Sequence, residues 1–419
     1  MVETRKVYLD HSATTPVDPR VVEAMLPFLT EKFGNASSVH SFGQEARAAV
    51  DRARREVAAL IGARANEVVF VSGGTEANNL AIRGITEAHL SRVSNTDSAE
   101  QGHAITSAIE HSSVRGIFDD LEKRGWQITR LPVSADGVVK ADDVRSALQP
   151  DTVLISVMLA NNEIGTIQPL EEIADLVREE RARGRKLWLH TDAVQAAGRV
   201  PINVDHLGCD LLTLSAHKLY APKGSGALFV RRGVRLNPQI LGGHQERERR
   251  AGTENVPGIV GFGVAAKLAR EEIEQRSSHD ELLRNRFEAS VAERIDEIVF
   301  NGAGARRLPH LSNISFRFIE GEGLLISLDL QGIAVSTGSA CSSGTLEPSP
   351  VIRALGRNDE LARGAIRFSF GKNNTETDVE YVIDVLVGVV ERLRRLSPLS
   401  GQKQRGQGGV PIGAAPMGC

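Results

Sequence analysis

Cysteine is scarce in this 419-residue chain, where Cys209, Cys341 and Cys419 stand far apart. Thiols so scattered build neither a disulfide framework nor a zinc site, since both need clustered spacings. Excess charge is missing too: the formal net charge is −3, which gives no hint of nucleic-acid binding. No apolar run approaches the ~18 residues that cross a bilayer, and no basic start precedes an apolar stretch as in a signal peptide. These absences make a cytoplasmic, reducing location the default expectation. What remains is ordinary for a globular protein, 41% apolar and 25% charged. The length suffices for two domains.

The order of elements indicates the fold class. Apolar strands, small or polar loops and helices alternate from Glu67 onward. Strands are expected at 67–71, 104–108, 153–159, 186–190, 210–214 and 227–230, with helices opened by Gly73–Glu76 and by Glu110–Ser113 and a further helix over 170–177. Before them, a helix over Val21–Leu29 and an Ala- and Arg-rich helix reaching Ile61 are expected. Such alternation predicts α/β architecture: a large domain with a mostly parallel sheet covered by helices on both faces. Beyond Gly258 the grammar changes to a long charged helix over 261–295, short strands at 311–318, 332–335 and 365–370, and a final helix over 377–396. That implies a smaller α+β domain. The expected divisions are an amino-terminal segment 1–15, a large domain 16–260, a small domain 261–398, and a disordered Gly-, Gln- and Pro-rich tail 399–419.

In parallel sheets ligands bind outside the carboxyl ends of strands, and the polar clusters fall at those ends. Lys218 follows the strand 210–214. A desolvated amine there loses basicity and can form a Schiff base with a carbonyl. Gly73-Gly74-Thr75 at a strand-to-helix turn can cradle a phosphate, although Thr75 could equally be a helix cap. Asp192 could keep a pyridine nitrogen protonated, or be a turn aspartate. His111 could stack on a planar ring or cap a helix, and Asn162 and Gln195 could reach a ring oxygen or be loop amides.

Together these residues resemble the pyridoxal-phosphate enzymes of aminotransferase class V, and within them the cysteine desulfurases that supply sulfur to iron–sulfur clusters. The resemblance runs from Tyr8 to about Leu396 on YLDHSATTPVDP, SGGTEANN, Glu110-His111, NNEIG, Asp192–Gln195, SAHK, RAGTEN and SGSACSSG. It implies pyridoxal 5'-phosphate as cofactor. Lys218 would be the imine-forming lysine that also moves the proton, Asp192 the partner of the pyridine nitrogen, and His111 the stacking ring. Gln195 and Asn162 would lie near the ring oxygen. Gly74, Thr75, Ser215 and His217 would bind phosphate, joined by Thr253 from the neighbouring subunit of a homodimer. Asn35 and Arg367 would hold the substrate carboxylate, for which a guanidinium fork is well shaped.

Cys341 names the expected reaction. It lies in Ser336–Thr345, a run of small residues with nothing large enough to anchor it, so a mobile, accessible thiol is expected. The thiolate would take the sulfur of L-cysteine as a persulfide, release alanine, and pass sulfur to an acceptor or iron–sulfur scaffold protein, for clusters or tRNA thiolation. The serine- and glycine-rich loop looks like that of the long-loop desulfurases. The tail after Pro398 does not resemble the extension through which close relatives engage a scaffold. Other class V enzymes, a selenocysteine lyase or an aminotransferase, are the nearest alternatives, and a dimeric scaffold without chemistry is the remaining one.

Overall fold

The computed structural model describes residues 5–93, 101–338 and 347–397. Its strands are, in chain order, β1 (Val7–Tyr8), β2 (Val68–Val71), β3 (His103–Ser107), β4 (Gln127–Leu131), β5 (Thr152–Ser156) and β6 (Trp188–Asp192). They continue with β7 (Leu211–Ser215), β8 (Gly226–Val230), β9 (Ile298–Phe300), β10 (Leu311–Phe316), β11 (Ile333–Ala334) and β12 (Ala365–Ser369). The central strands β3, β5, β7 and β8 are buried at every residue. Burial along the whole strand suits a sheet covered on both faces. β4, with its exposed Gln127 and Arg130, closes one edge.

The main sheet has the order β2-β8-β7-β6-β5-β3-β4. β8 pairs antiparallel with both β2 and β7, and the other neighbours are parallel. Six strands therefore run one way and β8 alone runs against them. The helices Ser41–Leu60, Leu170–Ala182 and Val256–Glu271 pack on one face, and Gly74–Val93 and Ser112–Lys123 on the other. Helix Ser41–Leu60 buries Ala46, Ala49, Val50, Ala53 and Val57, the i, i+3, i+4 stripe of an amphipathic helix. It meets Val256–Glu271 closely enough that a Cβ on Gly263 would lie 2.5 Å from the Ala53 Cα.

The sequence expectation of one helix over 261–295 is not met. The first helix ends at Glu271, Glu272 is non-helical (φ −107°, ψ 8°), and a second helix runs Ile273–Arg294. The break lets the two halves serve different cores. The first packs on Ser41–Leu60, while Leu283, Phe287 and Val291 of the second enter a separate core. Likewise Val21–Leu29 is interrupted at Leu26, before Pro27, leaving Pro19–Met25 and Pro27–Thr30.

That second core lies between the antiparallel sheet β12-β10-β9 and the helices Ile273–Arg294 and Glu376–Leu396. The Phe287 ring sits 4.7 Å from Phe368 and 5.6 Å from Phe370, and burying such a side chain contributes roughly 1.5–3 kcal/mol. β1 pairs in parallel with β11, so Val7 and Leu9 belong to this core although they open the chain. From there residues 10–15 cross to the main sheet. Thr15 Oγ1 donates to the His217 carbonyl at 2.8 Å and accepts from the Tyr220 N–H at 2.8 Å. Among the described residues no helix is long and apolar enough to cross a membrane.

Candidate active site

The shared direction of six strands puts the carboxyl ends of β2, β3, β5, β6 and β7 on one edge of the sheet. There they surround a cavity of about 310 Å³. Gly74, Thr75, His111, Asn162, Asp192, Gln195, Ser215, His217, Lys218 and Arg367, all singled out from the sequence, line it. Arg367 reaches it from β12, so the cavity lies where the two cores meet. Asn35 and Thr253 do not line it. The Asn35 side chain accepts the Ser37 N–H in a turn, at 2.9 Å. Thr253 borders a separate hollow with Ser72 and Arg250. Cys341, residues 94–100 and the residues from 398 on lie outside the described residues.

Lys218 ends the turn after β7, and its Nζ donates to the carbonyls of Ser12 at 2.5 Å and Ala13 at 2.6 Å. The Gln195 amide donates to the same Ser12 carbonyl at 2.9 Å. Ser12 is itself set by the smaller core: its N–H donates to Ser369 Oγ at 2.9 Å, and its hydroxyl meets His310 Nε2 at 3.2 Å. The crossing segment thus aims two carbonyls at the amine.

Asp192, the last residue of β6, is buried and doubly held. Oδ1 accepts the Val194 N–H at 3.0 Å, and Oδ2 accepts the Asn78 amide at 2.8 Å. The same Asn78 amide nitrogen donates to Ser113 Oγ at 2.9 Å. His111 caps the helix Ser112–Lys123, its Nδ1 accepting the Ser113 N–H at 3.1 Å and lying 2.8 Å from Ser113 Oγ. With Nδ1 an acceptor, the ring proton of the neutral form belongs on Nε2. Burial, assisted by the charge of Lys218, holds His111 below its ordinary pKa against the opposing pull of Asp192. His217 is pushed down to about 4 by burial and by Lys218 and Lys223. Both rings are therefore neutral at neutral pH.

At the rim, Gly74 and Thr75 open the helix Gly74–Val93, whose first N–H groups and dipole favour an anion. A Cβ on Gly74 would stand 3.0 Å from Val194 Cγ2, so the turn admits little more than hydrogen. Arg367 Nη2 donates to Asp10 at 2.7 Å and Nη1 to the Asn162 carbonyl at 2.9 Å, while its buried Nε has no partner among the described residues. Behind the site, Glu110 is fully buried and pushed up to about 8 by desolvation. Its Oε1 accepts from Ser107 at 2.5 Å and from the Met158 N–H at 2.9 Å.

Residues 7–382 match the family described as aminotransferase class V. The chain belongs to that family. Among curated class V relatives, "Cysteine desulfurase IscS" of Dictyoglomus turgidum is 49% identical over 394 residues, covering 94% of this chain and 97% of that protein. The protein of the same name from Methanosarcina thermophila is 47% identical over 403 residues, 96% of each chain. Among solved structures, one titled "NIFS-LIKE PROTEIN" superposes with TM-score 0.84 at 35% identity, covering 93% of this chain and all of that one. Another, "SspA in complex with cysteine", has TM-score 0.76 at 34% identity, covering 88% and 99%.

Several residues that shape this class V cavity escaped the sequence reading. Asn78 had a signal, since it stands four residues after Gly74 and so shares its helix face. Asp10 stood in a quoted motif without a role. The Ser12 and Ala13 carbonyls had no signal at all, because a carbonyl acts without regard to its side chain.

Proposed function

We propose that the protein is a pyridoxal-phosphate-dependent L-cysteine desulfurase. The carrying observation is that Gly338, three residues before Cys341 in the sequence, lies in the same cavity wall as Lys218, Asp192 and His111. The residues present fit the cofactor's distinct ends. A helix start with the Ser215 hydroxyl and neutral His217 suits a phosphate, a doubly anchored carboxylate suits a protonated ring nitrogen, and an amine suits its aldehyde. When bound, pyridoxal phosphate supplies the carbonyl that condenses with amines and the electron sink for the α-carbon.

The chain's own groups do the rest. Asp192 holds the ring nitrogen protonated, and Asn78 keeps that carboxylate aimed. Neutral His111 offers a flat face and an Nε2–H. Lys218 carries the α-proton. Arg367 takes the substrate carboxylate. The Cys341 thiolate attacks the substrate sulfur, so that an S–S bond forms as the C–S bond of cysteine breaks. The products are a Cys341 persulfide and L-alanine. We extend this reading to a cytoplasmic homodimer in which Thr253 serves the partner's phosphate site and a protein acceptor collects the sulfur. A reducing compartment favours keeping such a thiol free.

Cys341→Ala in the reconstituted enzyme tests the reading. Cofactor absorbance should persist while sulfide release from L-cysteine is lost, and wild-type Cys341 should gain the mass of one sulfur atom after cysteine is added. Sulfide release by Cys341→Ala at the wild-type rate would sink the assignment. Lys218→Ala should lose both the absorbance of the lysine-bound cofactor and all turnover; surviving turnover would displace Lys218.

A further inference from the structure

Glu163 has no part in the chemistry above, yet it is a buried carboxyl beside the cavity. Its turn is tightly fixed. Asn161 Oδ1 accepts the Glu163 and Ile164 N–H groups at 2.8 and 3.0 Å, and Asn313 Nδ2 donates to the Glu163 carbonyl at 3.0 Å. The neighbouring carbonyl, of Asn162, accepts from Arg367. A carboxyl buried so far from water is costly, and desolvation holds it above the ordinary carboxylate range. An apolar residue would fill the space without that cost, so the oxygens need an explanation.

The two chain stems that meet there supply one. On the incoming side, Ser336 bonds backbone to backbone with Arg367 in β12, and its hydroxyl accepts the Gly338 N–H at 3.1 Å. Gly338 then turns the face where a side chain would stand toward the carboxyl. Its φ is +84°, and a Cβ there would stand 2.8 Å from Glu163 Oε2. On the outgoing side, Ser349 Oγ donates to the same Oε2 at 2.6 Å while accepting the Val351 and Ile352 N–H groups that open the helix Pro350–Ala354. The same carboxyl oxygen therefore holds the outgoing stem by a hydrogen bond and leaves no room for a side chain on the incoming one.

We propose that Glu163 is a positioning residue for sulfur transfer: it fixes both stems of the Cys341 segment at the cavity and so governs persulfide formation, but not the chemistry of Lys218. The inference rests on the desulfurase reading.

The test separates two rates in the reconstituted holoenzyme. One is persulfide formation on Cys341 in a single turnover with L-cysteine, read by mass spectrometry. The other is exchange of the α-hydrogen of L-alanine in deuterated water, which uses Lys218 without Cys341. Glu163→Ala should slow persulfide formation at least tenfold and change exchange less than threefold. Glu163→Gln should recover most of the loss, because its amide oxygen still accepts from Ser349. Ser349→Ala, which removes the donor and lies outside the cavity wall, should show the same split and decides the matter if Glu163→Ala folds poorly. Equal falls in both rates, or persulfide formation at the wild-type rate in Glu163→Ala, would overturn the proposal. Failure of the wild-type protein to form the persulfide would instead overturn the desulfurase reading.

Discussion

Asn78→Ala probes the least legible part of the site. Asn78 is buried, does not line the cavity, and donates to Asp192 Oδ2 at 2.8 Å and to Ser113 Oγ at 2.9 Å. Removing it leaves Asp192 with the Val194 N–H as its remaining donor in the structure. It also loosens Ser113, on which His111 rests. A hydrogen bond to a charged group is worth about 1.5–3 kcal/mol. If that is spent in aiming Asp192 at the cofactor ring, the dissociation constant for pyridoxal phosphate rises roughly 10- to 150-fold, at about 1.4 kcal/mol per decade. Asn78→Asp should be worse than Ala, since it sets a second carboxylate against Asp192. The assay is absorbance titration of cofactor-free protein, with urea unfolding of the same samples to account for lost stability. Cofactor affinity within twofold of wild type in Asn78→Ala would refute the argument and reduce Asn78 to a packing residue.

Other predictions follow from the buried groups. Glu110 is protonated in the fold up to about pH 8, against 4.5 for the ordinary group. Between those values the folded chain keeps a proton that the unfolded chain has lost, so stability falls as pH rises through that window and levels off above it. Its Oε2 has no hydrogen-bond partner among the described residues, so Gln can place its NH2 where the acid holds O–H. Glu110→Gln should therefore gain on wild type by up to about 1.4 kcal/mol per pH unit between pH 5 and 8, measured by urea unfolding. A pH-independent difference would contradict this. Arg54 and Glu246 form a buried two-pronged pair at 2.6 Å that anchors a stretch with left-handed φ at Glu246, Arg247 and Glu248. Arg54→Met should cost about 3–5 kcal/mol, and adding Glu246→Leu should recover part of it. A urea midpoint unchanged in the single variant would show the pair contributes nothing.

The sequence by itself determined the architecture and the chemical inventory. Apolar runs such as Leu211–Leu214, each ending in small polar residues, declare parallel strands, and the ligand side of such a sheet follows from their direction. Lys218, Asp192, His111 and Gly74 could thus be assigned to one edge before any coordinates. Local periodicity did not reveal β8 running against its neighbours, nor the break at Glu272, because both answer to what each element packs on. The couplings were equally hidden. Asn78 on Asp192, Asp10 on Arg367, the Ser12 carbonyl on Lys218 and Glu163 under Gly338 join residues 114, 357, 206 and 175 positions apart in the chain (192 − 78, 367 − 10, 218 − 12, 338 − 163). No residue type specifies a partner at that range. The tertiary structure decided it, because a buried polar group must find its hydrogen bonds wherever the packed chain presents them.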